Sequence, residues 1–550
     1  MGVTYCVNDK TQPTGQHAVQ PVGGNDMLSD RKSLSVYLSL KKILLLAAVA
    51  AAATAFASPV LAQKAKDTLR FPILDGETIL DQYLSPGAFH YTWGPAVYDS
   101  LVGFDPKKGE FLPFLAKSWS QPSPTTYEYV LREDIKWHDG QAFDADDVVY
   151  TLNYLTDPKV NLRYKAQWTW IQSVEKLGAY KVRITAKKPV ADGLMWMSNS
   201  TTIFPEHLHA PLENKQDFGA RPIGTGPYKV TKLDKNAGIF LDKNPNFVAT
   251  PAKSAATIGK VIGEPIPDAG TLVAALLVGK ADLAFDVPVD QAAELRASGR
   301  FESTLAPAAV AYSFVGFPTA AWPNAKPITD PRVRLAIAMA IDTKALIDVQ
   351  YGELGRSIKP SDGLCSKEQL GCGFTKLKPA YDPAGAKKLL AEAGYADGFD
   401  IIISTHPTSV VPATAVSGML RAVGIRASVQ PHQIVQRVQL VNSGKVQIGF
   451  YGWSGGALFE TSGNIVRHVG SKEYDDPTLT EMANATFGIM NDAERRKEVA
   501  KVFDYIHDKA YAFPMVPLRS IYTHTKEVKL DVTDEIRESQ LPSVHEFAWK

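Results

Sequence analysis

Between Thr126 and Leu131 polar and apolar positions alternate, with Tyr127, Tyr129 and Leu131 on one face. That period of two predicts a half-buried strand. The period then changes. Val148, Val149, Leu152 and Leu155 recur at helical spacing behind Asp144, a plausible N-cap, with Asp146 and Asp147 in the first turn where the helix dipole favours carboxylates. "DTLRFPIL" and "GAYKVRITAKKP" read as further strands, and "PIGTGPYKVTKLDKNAGIFLDKNPNF" as turn, strand, turn, strand. "TLVAALLVGKADLAF" and "VQRVQLVNSGKVQIGF" share one grammar: an apolar helix, a glycine stop at Gly279 or Gly444, a lysine, then a buried strand. This is the helix-then-strand half of a βαβ unit. Asp330-Pro331 and Asp382-Pro383 each start a helix, since proline suits the first helical position. "YADGFDIIIST" predicts a buried strand, and "NDAERRKEVAKVFDYIHDKAY" a long helix with Val499, Val502, Phe503 and Ile506 inward. The pattern is α/β with added antiparallel strands. At 550 residues it needs more than one core.

The N-terminal region has a different pattern. Arg31, Lys32, Lys41 and Lys42 precede "ILLLAAVAAAATAFA", and "SPVLAQ" places Val60 and Ala62 at the −3 and −1 positions of a cleavage site. Basic, apolar and small-residue regions in that order predict an export signal over residues 1–62, leaving a chain that starts at Gln63. A membrane anchor is the alternative, but the apolar run is short and rich in alanine. Residues 1–26 are polar, so Met27 competes with Met1 as the start. No cysteine stands at the cut, which argues against a lipid anchor. The expected product is exported, soluble and periplasmic.

Formal net charge is +1, so there is no excess of Lys and Arg to neutralise phosphates and no nucleic-acid partner is expected. In an oxidising compartment Cys365 and Cys372 of "GLCSKEQLGCG" are expected to pair in a disulfide, with free thiols as the alternative. Two cysteines do not make a zinc site unless histidines join them.

Catalytic chemistry is hard to find. No His-Glu-x-x-His occurs. His207 and His209 suit a surface turn better than a metal pair, and His432 and His468 read as polar surface positions. Gly224-Thr225-Gly226-Pro227 lacks the Gly-Lys-Ser/Thr of a phosphate loop, and the proline blocks a helix, so it reads as a structural turn. No enzyme, metal or cofactor is expected. "GFYGWSGGALF" is the unusual stretch: a buried strand ends at Trp453, followed by Ser454, Gly455 and Gly456. In open α/β sheets ligands bind beyond the carboxyl ends of strands. An indole there offers a flat wall, and the glycines leave main-chain groups open. The alternative is a tryptophan packed over a tight turn.

Seven segments in order now carry a resemblance: "VYDSLVGFDPKKGEFLPFLAKSWS", "TTYEYVLREDIKWHDGQAFDADDVVYTLNYL", "PIGTGPYKV", "LLVGKADLAF", "DPRVRLAIAMAIDTKALID", "YDPAGAKKLLAEAGY" and "AERRKEVAKVFDYIHDKAYAFPMVPL". Nearly the whole chain after the signal resembles the family 5 extracellular solute-binding proteins, which include periplasmic oligopeptide-, dipeptide- and nickel-binding proteins of ABC transporters. The resemblance implies an α/β, two-lobed periplasmic binding protein fold with an extra domain on the first lobe. Lobe I would take residues 63–108, 222–305 and 516–550, the extra domain 109–221, and lobe II 306–515. A monomer would enclose a small-molecule solute between the lobes and deliver it to the membrane permease of an ABC importer. A ligand sensor of the same fold is the first alternative, and a secreted hydrolase the second.

The resemblance also bears on the ligand. Peptide-binding members carry an Asp three positions after this Trp, where it pairs with the peptide's amino group. Here that position is Gly456. Ile434 and Phe450 stand where pocket-lining basic and aromatic residues would be. A buried ammonium without its carboxylate is costly, so ordinary linear peptides are not expected to be the best ligands. A bulkier or less cationic solute is: peptide-like, opine-like, a sugar conjugate or a metal chelate. Asp75 or Glu77, after the first strand, would replace the missing acid from the other lobe. Arg519 would meet a solute carboxylate, or else be an ordinary surface arginine.

Overall fold

Local chemistry sets the element starts. Asp144 accepts from the Asp146 amide at 2.8 Å, while Asp147 accepts from the Asp144 amide at 3.1 Å, so a reciprocal capping box opens the helix Ala145–Thr156. Asp330 and Asp382 cap the helices Pro331–Met339 and Pro383–Glu392, each with proline in its first turn. Asp476 does the same for Pro477–Thr486. The 17-residue helix Asp492–Asp508 buries Val499, Val502, Phe503 and Ile506.

In this computed structural model the chain divides into two units, residues 1–61 and 62–550. The described residues all lie in the second. They are 67–550 except 74–77, 85–87, 107, 163–164, 199–200, 267, 307–310, 318–325, 368, 434–435, 437–438, 441–444, 455–460, 464, 466–473, 475 and 531–542. The expected export signal therefore lies outside them, as do Asp75, Glu77, Ile434, Gly444, Gly455, Gly456 and His468. Among the described residues no helix is long and apolar enough to cross a membrane.

The strands form several sheets. Thr68–Arg70, Lys260–Gly263, Gly238–Lys243 and Tyr228–Asp234 lie in that order in one of them. Ala116–Ser123, Thr126–Leu131, Lys181–Ala186 and Ile171–Gly178 form an antiparallel sheet in which Tyr127, Tyr129 and Leu131 are buried, as alternation predicts. These two sheets share one hydrophobic core. A five-stranded mixed sheet, in the order Ile425–Pro431, Phe399–Thr405, Ile448–Ser454, Ala311–Gly316 and Ala512–Pro517, packs into a second core. Its first three strands are parallel, and the helix Val410–Ala422, which connects Phe399–Thr405 to Ile425–Pro431, completes a βαβ unit.

A three-stranded sheet, Leu283–Phe285, Ile521–Thr525 and Phe301–Leu305, stands between the two cores. The helix Ala269–Leu277 ends at Gly279 with φ +72°, and the strand Leu283–Phe285 follows, as the shared grammar predicts. This strand pairs antiparallel with Ile521–Thr525, because the C-terminal segment returns alongside it. The chain passes between this sheet and the five-stranded one twice, from Phe301–Leu305 to Ala311–Gly316 and from Ala512–Pro517 to Ile521–Thr525. Backbone bonds tie the crossings together: the Ala306 amide donates to the Ser520 carbonyl at 2.7 Å.

Two buried cations were not anticipated from the pattern. Arg334 donates to the carbonyls of Ala510, Ile328, Thr329 and Lys509 and lies over the Tyr511 ring. Lys253 lies 2.6 Å from Asp99 and also donates to the carbonyls of Pro95 and Tyr98. Such charges are tolerated inside only when every donor has a partner.

Candidate functional site

The strand ending at Trp453 is the central strand of the five-stranded sheet. Trp453 stands opposite Tyr312, and Tyr312 opposite Pro517; Ser454 stands opposite Ala311. The carboxyl end of the central strand therefore lies beside both crossings, at the edge where the sheet faces the three-stranded one. A β-bulge sits at this edge between Tyr312 and Phe314. The buried Ser313 hydroxyl patches it, donating to the Val516 carbonyl at 3.2 Å and accepting from the Val516 amide at 3.1 Å. Bulges of this kind re-aim side chains next to binding sites.

Beyond the glycines, residues 461–463 are helical, and the Thr461 amide donates to the Leu370 carbonyl at 2.9 Å. Leu370 belongs to the loop closed by the Cys365–Cys372 disulfide, whose Cα atoms are 5.9 Å apart. Arg496 braces this loop through the carbonyls of Lys367, Gln369 and Cys372. Thr461 is thus anchored on a cross-linked ring. Among the described residues, the buried Thr461 and Ser462 hydroxyls have no hydrogen-bond partner.

Other sequence-predicted positions take definite places. Phe450 is a core residue of the central strand, 2% exposed. Arg519 lies half-buried at the second crossing, where its Nε donates to the Ala306 carbonyl at 2.6 Å and its amide donates to the Tyr351 hydroxyl at 3.0 Å. The Tyr351 hydroxyl in turn donates to the Pro517 carbonyl at 2.8 Å. Arg519 therefore links both crossings to the helix Thr343–Tyr351.

The histidines go to separate partners. His207 meets Asp139 at 2.7 Å, His209 is buried against Tyr150, and His432 contacts the Ser404 hydroxyl at 2.9 Å. Among the described residues no three His, Cys, Asp or Glu side chains gather as a metal site.

The Gly224–Gly226 turn is built for packing. A Cβ at Gly224 would lie 1.8 Å from the Val97 carbonyl oxygen, so only glycine fits. His138 Nδ1 accepts from the Gly224 amide at 3.1 Å, so the proton is on Nε2, which donates to the Gly226 carbonyl at 3.0 Å. Burial pushes this imidazole down to about 4.

One residue at the crossings escaped the sequence reading. Asp286 directly follows the strand Leu283–Phe285, and its amide donates to the Ile521 carbonyl at 2.8 Å. Its φ is +55°, uncommon for any residue but glycine. The available signal was an acid placed between a strand end and Pro288.

The comparisons agree with this geometry. Residues 110–474 match the model of the bacterial extracellular solute-binding proteins, family 5 (middle region). The chain belongs to that family, and its fold is the two-lobed one of periplasmic binding proteins. The glutathione-binding protein GsiB of Salmonella paratyphi A is 28% identical over 420 residues, covering 74% of this chain and 78% of that protein. Among solved structures, NikA from Brucella suis in complex with Fe(III)-EDTA superposes with a TM-score of 0.76 at 21% identity, covering 88% of this chain and all of that one. DppA from Helicobacter pylori in complex with the peptide STSA gives 0.72 at 21% identity, covering 88% and 99%. These relatives are solute-binding proteins, and family members hand small solutes to ABC import permeases.

Proposed function

We propose that the chain is a monomeric periplasmic receptor that captures a small peptide-like, opine-like or sugar-conjugate solute between its lobes without turning it over. The lobes are those expected above: 63–108, 222–305 and 516–550 with the extra domain 109–221, against 306–515. The observation that carries this reading is the carboxyl end of the central strand at Trp453 and Ser454, set beside both chain crossings. Closure around solute is driven by contacts available only in the closed state, so the solute shifts the open–closed population. Trp453 forms one wall, Gly455 and Gly456 present main chain, and Asp75, Glu77 and Arg519 are candidate polar contacts. Glutathione joins the candidate solutes because relatives carry its name.

Native mass spectrometry of protein purified without denaturation tests this. A small cargo released on unfolding is expected. An empty protein that also binds no peptide, opine or sugar conjugate would contradict the reading. Gly456→Asp restores an acid at the family's position, so short linear peptides should bind at least about 10-fold more tightly, a gain of about 1.4 kcal/mol. No gain would mean that Gly456 does not face the solute.

A further inference from the structure

A third, smaller core adjoins the five-stranded sheet at Ala512. The helices Pro477–Thr486 and Asp492–Asp508 pack on each other, and Leu479, Val499, Val502 and Phe503 enclose the Cys365–Cys372 disulfide. Bonds to charged groups make this helical hairpin and the disulfide ring one body. Asp492 accepts from the Gly371 amide at 2.8 Å and from Arg496 Nε at 2.6 Å, while Arg496 also holds the ring carbonyls. The hairpin tip is fixed too: the buried Arg495 donates to the Ile489 carbonyl at 2.7 Å.

Two apolar side chains leave this body. Among the described residues from 311 to 517, only Leu370 and Phe487 pack on the first core. Both are half-buried. At the hairpin tip the Ala191 amide, in the proposed extra domain, donates to the Phe487 carbonyl at 3.2 Å. The next residue is close as well, since a Cβ at Gly488 would lie 3.6 Å from the Pro189 carbonyl oxygen. The opposite face is firm: Val190 is fully buried, and its carbonyl accepts from the Tyr127 hydroxyl at 2.7 Å.

This contact joins parts that the chain does not join. Among the described elements, the chain connects the three-stranded sheet to the five-stranded one only at the two crossings, and neither Leu370 nor Phe487 belongs to them. A bend at the crossings that parts the two bodies must break the contact. One backbone bond and two half-buried side chains favour the closed arrangement without fixing it. Leu370 also connects the contact to the proposed solute loop, because its carbonyl accepts from the Thr461 amide at 2.9 Å.

We infer that Leu370 and Phe487 form a clasp that holds the disulfide ring and helical hairpin against the proposed extra domain, keeps the empty receptor partly closed and slows the release of solute. This rests on the receptor reading and deepens it by giving the extra domain a task. The clasp acts through the closed fraction, so it changes the affinity for every solute by the same factor.

Spin labels at Leu177→Cys and Lys497→Cys, both exposed, report the distance between the proposed extra domain and the hairpin, and the native Cys365 and Cys372 are paired. Pulsed electron-resonance on cargo-free protein should show a short and a long population. Leu370→Ser with Phe487→Ser should deplete the short one at least about 5-fold, whereas Phe487→Leu alone should keep it. The double serine variant should also release retained cargo, or added glutathione, about 10-fold faster in native mass spectrometry, with its melting temperature nearly unmoved. Distances that match wild type, or an unchanged release rate, would overturn the clasp while leaving the receptor reading in place. A lower melting temperature with unchanged distances would make the contact a structural one. If the distances shift but neither cargo nor any peptide, opine or sugar conjugate binds, the receptor reading falls and the role in release falls with it.

Discussion

At the scale of single residues, the molecule uses buried polar groups as fasteners. His138 is the clearest. Its neutral ring bridges both glycines of the 224–226 turn, so a proton on Nδ1 would break the Gly224 bond. Burial depresses its folded pKa from 6.5 to about 4. Above pH 6.5 the ring is neutral in both folded and unfolded chains, and the contribution is fully present. As the pH falls towards 4 the unfolded chain takes up the proton first, and stability is lost. His138→Gln should therefore be less stable than wild type at neutral pH, with a gap that narrows by about 3 kcal/mol on acidification to pH 4. Urea unfolding of both proteins across that range measures it, and a constant gap would rule out a neutral buried imidazole. Lys253 is a fastener of another kind. Removing its charge would leave the buried Asp99 carboxylate with the Thr225 hydroxyl but without its cation, so Lys253→Met should cost about 3–5 kcal/mol, visible as a large fall in melting temperature.

At the scale of elements, local chemistry was readable in the sequence and distant chemistry was not. Asp144, Asp330 and Asp382 cap the helices expected of them, because a cap needs only the next three residues. Tyr127, Tyr129 and Leu131 point inward because a strand enforces alternation. Arg334 was not readable as a buried cation, since two of its acceptors, Lys509 and Ala510, come from far along the chain. Asp286 is similar: its neighbours Ser520 and Ile521 belong to the returning C-terminal segment. The residue pattern could mark Trp453 as a strand end, but not the strand's central place in its sheet or its closeness to both crossings. The disulfide loop shows how elements couple. Leu370 within it, and Phe487 nearby, pack on the first core although their neighbours belong elsewhere, and the Ala191 amide donates to the Phe487 carbonyl at 3.2 Å. The same loop holds Thr461 at the end of the glycine segment. Replacing both Cys365 and Cys372 by serine should cost about 2–3 kcal/mol by loop-closure entropy. On the proposed reading it should also weaken solute binding, because the anchor at Thr461 loosens. Unchanged affinity in a destabilised variant would show that the ring is a staple only.

For the whole molecule, the two larger cores among the described residues are joined through one small sheet and a pair of crossings that Arg519 ties together. Such a joint can bend while the cores stay rigid, and in the proposed reading solute is captured when the Trp453 edge and the opposing strand ends close on the same molecule. The central claim is that Trp453 belongs to the solute rather than to the core. Calorimetric titration of Trp453→Ala with the cargo released from the wild-type protein, paired with the melting temperature of the empty variant, tests it most directly. The account predicts a loss of affinity of at least about 30-fold with the melting temperature nearly unmoved. A variant that melts far lower while binding as tightly as wild type would contradict it.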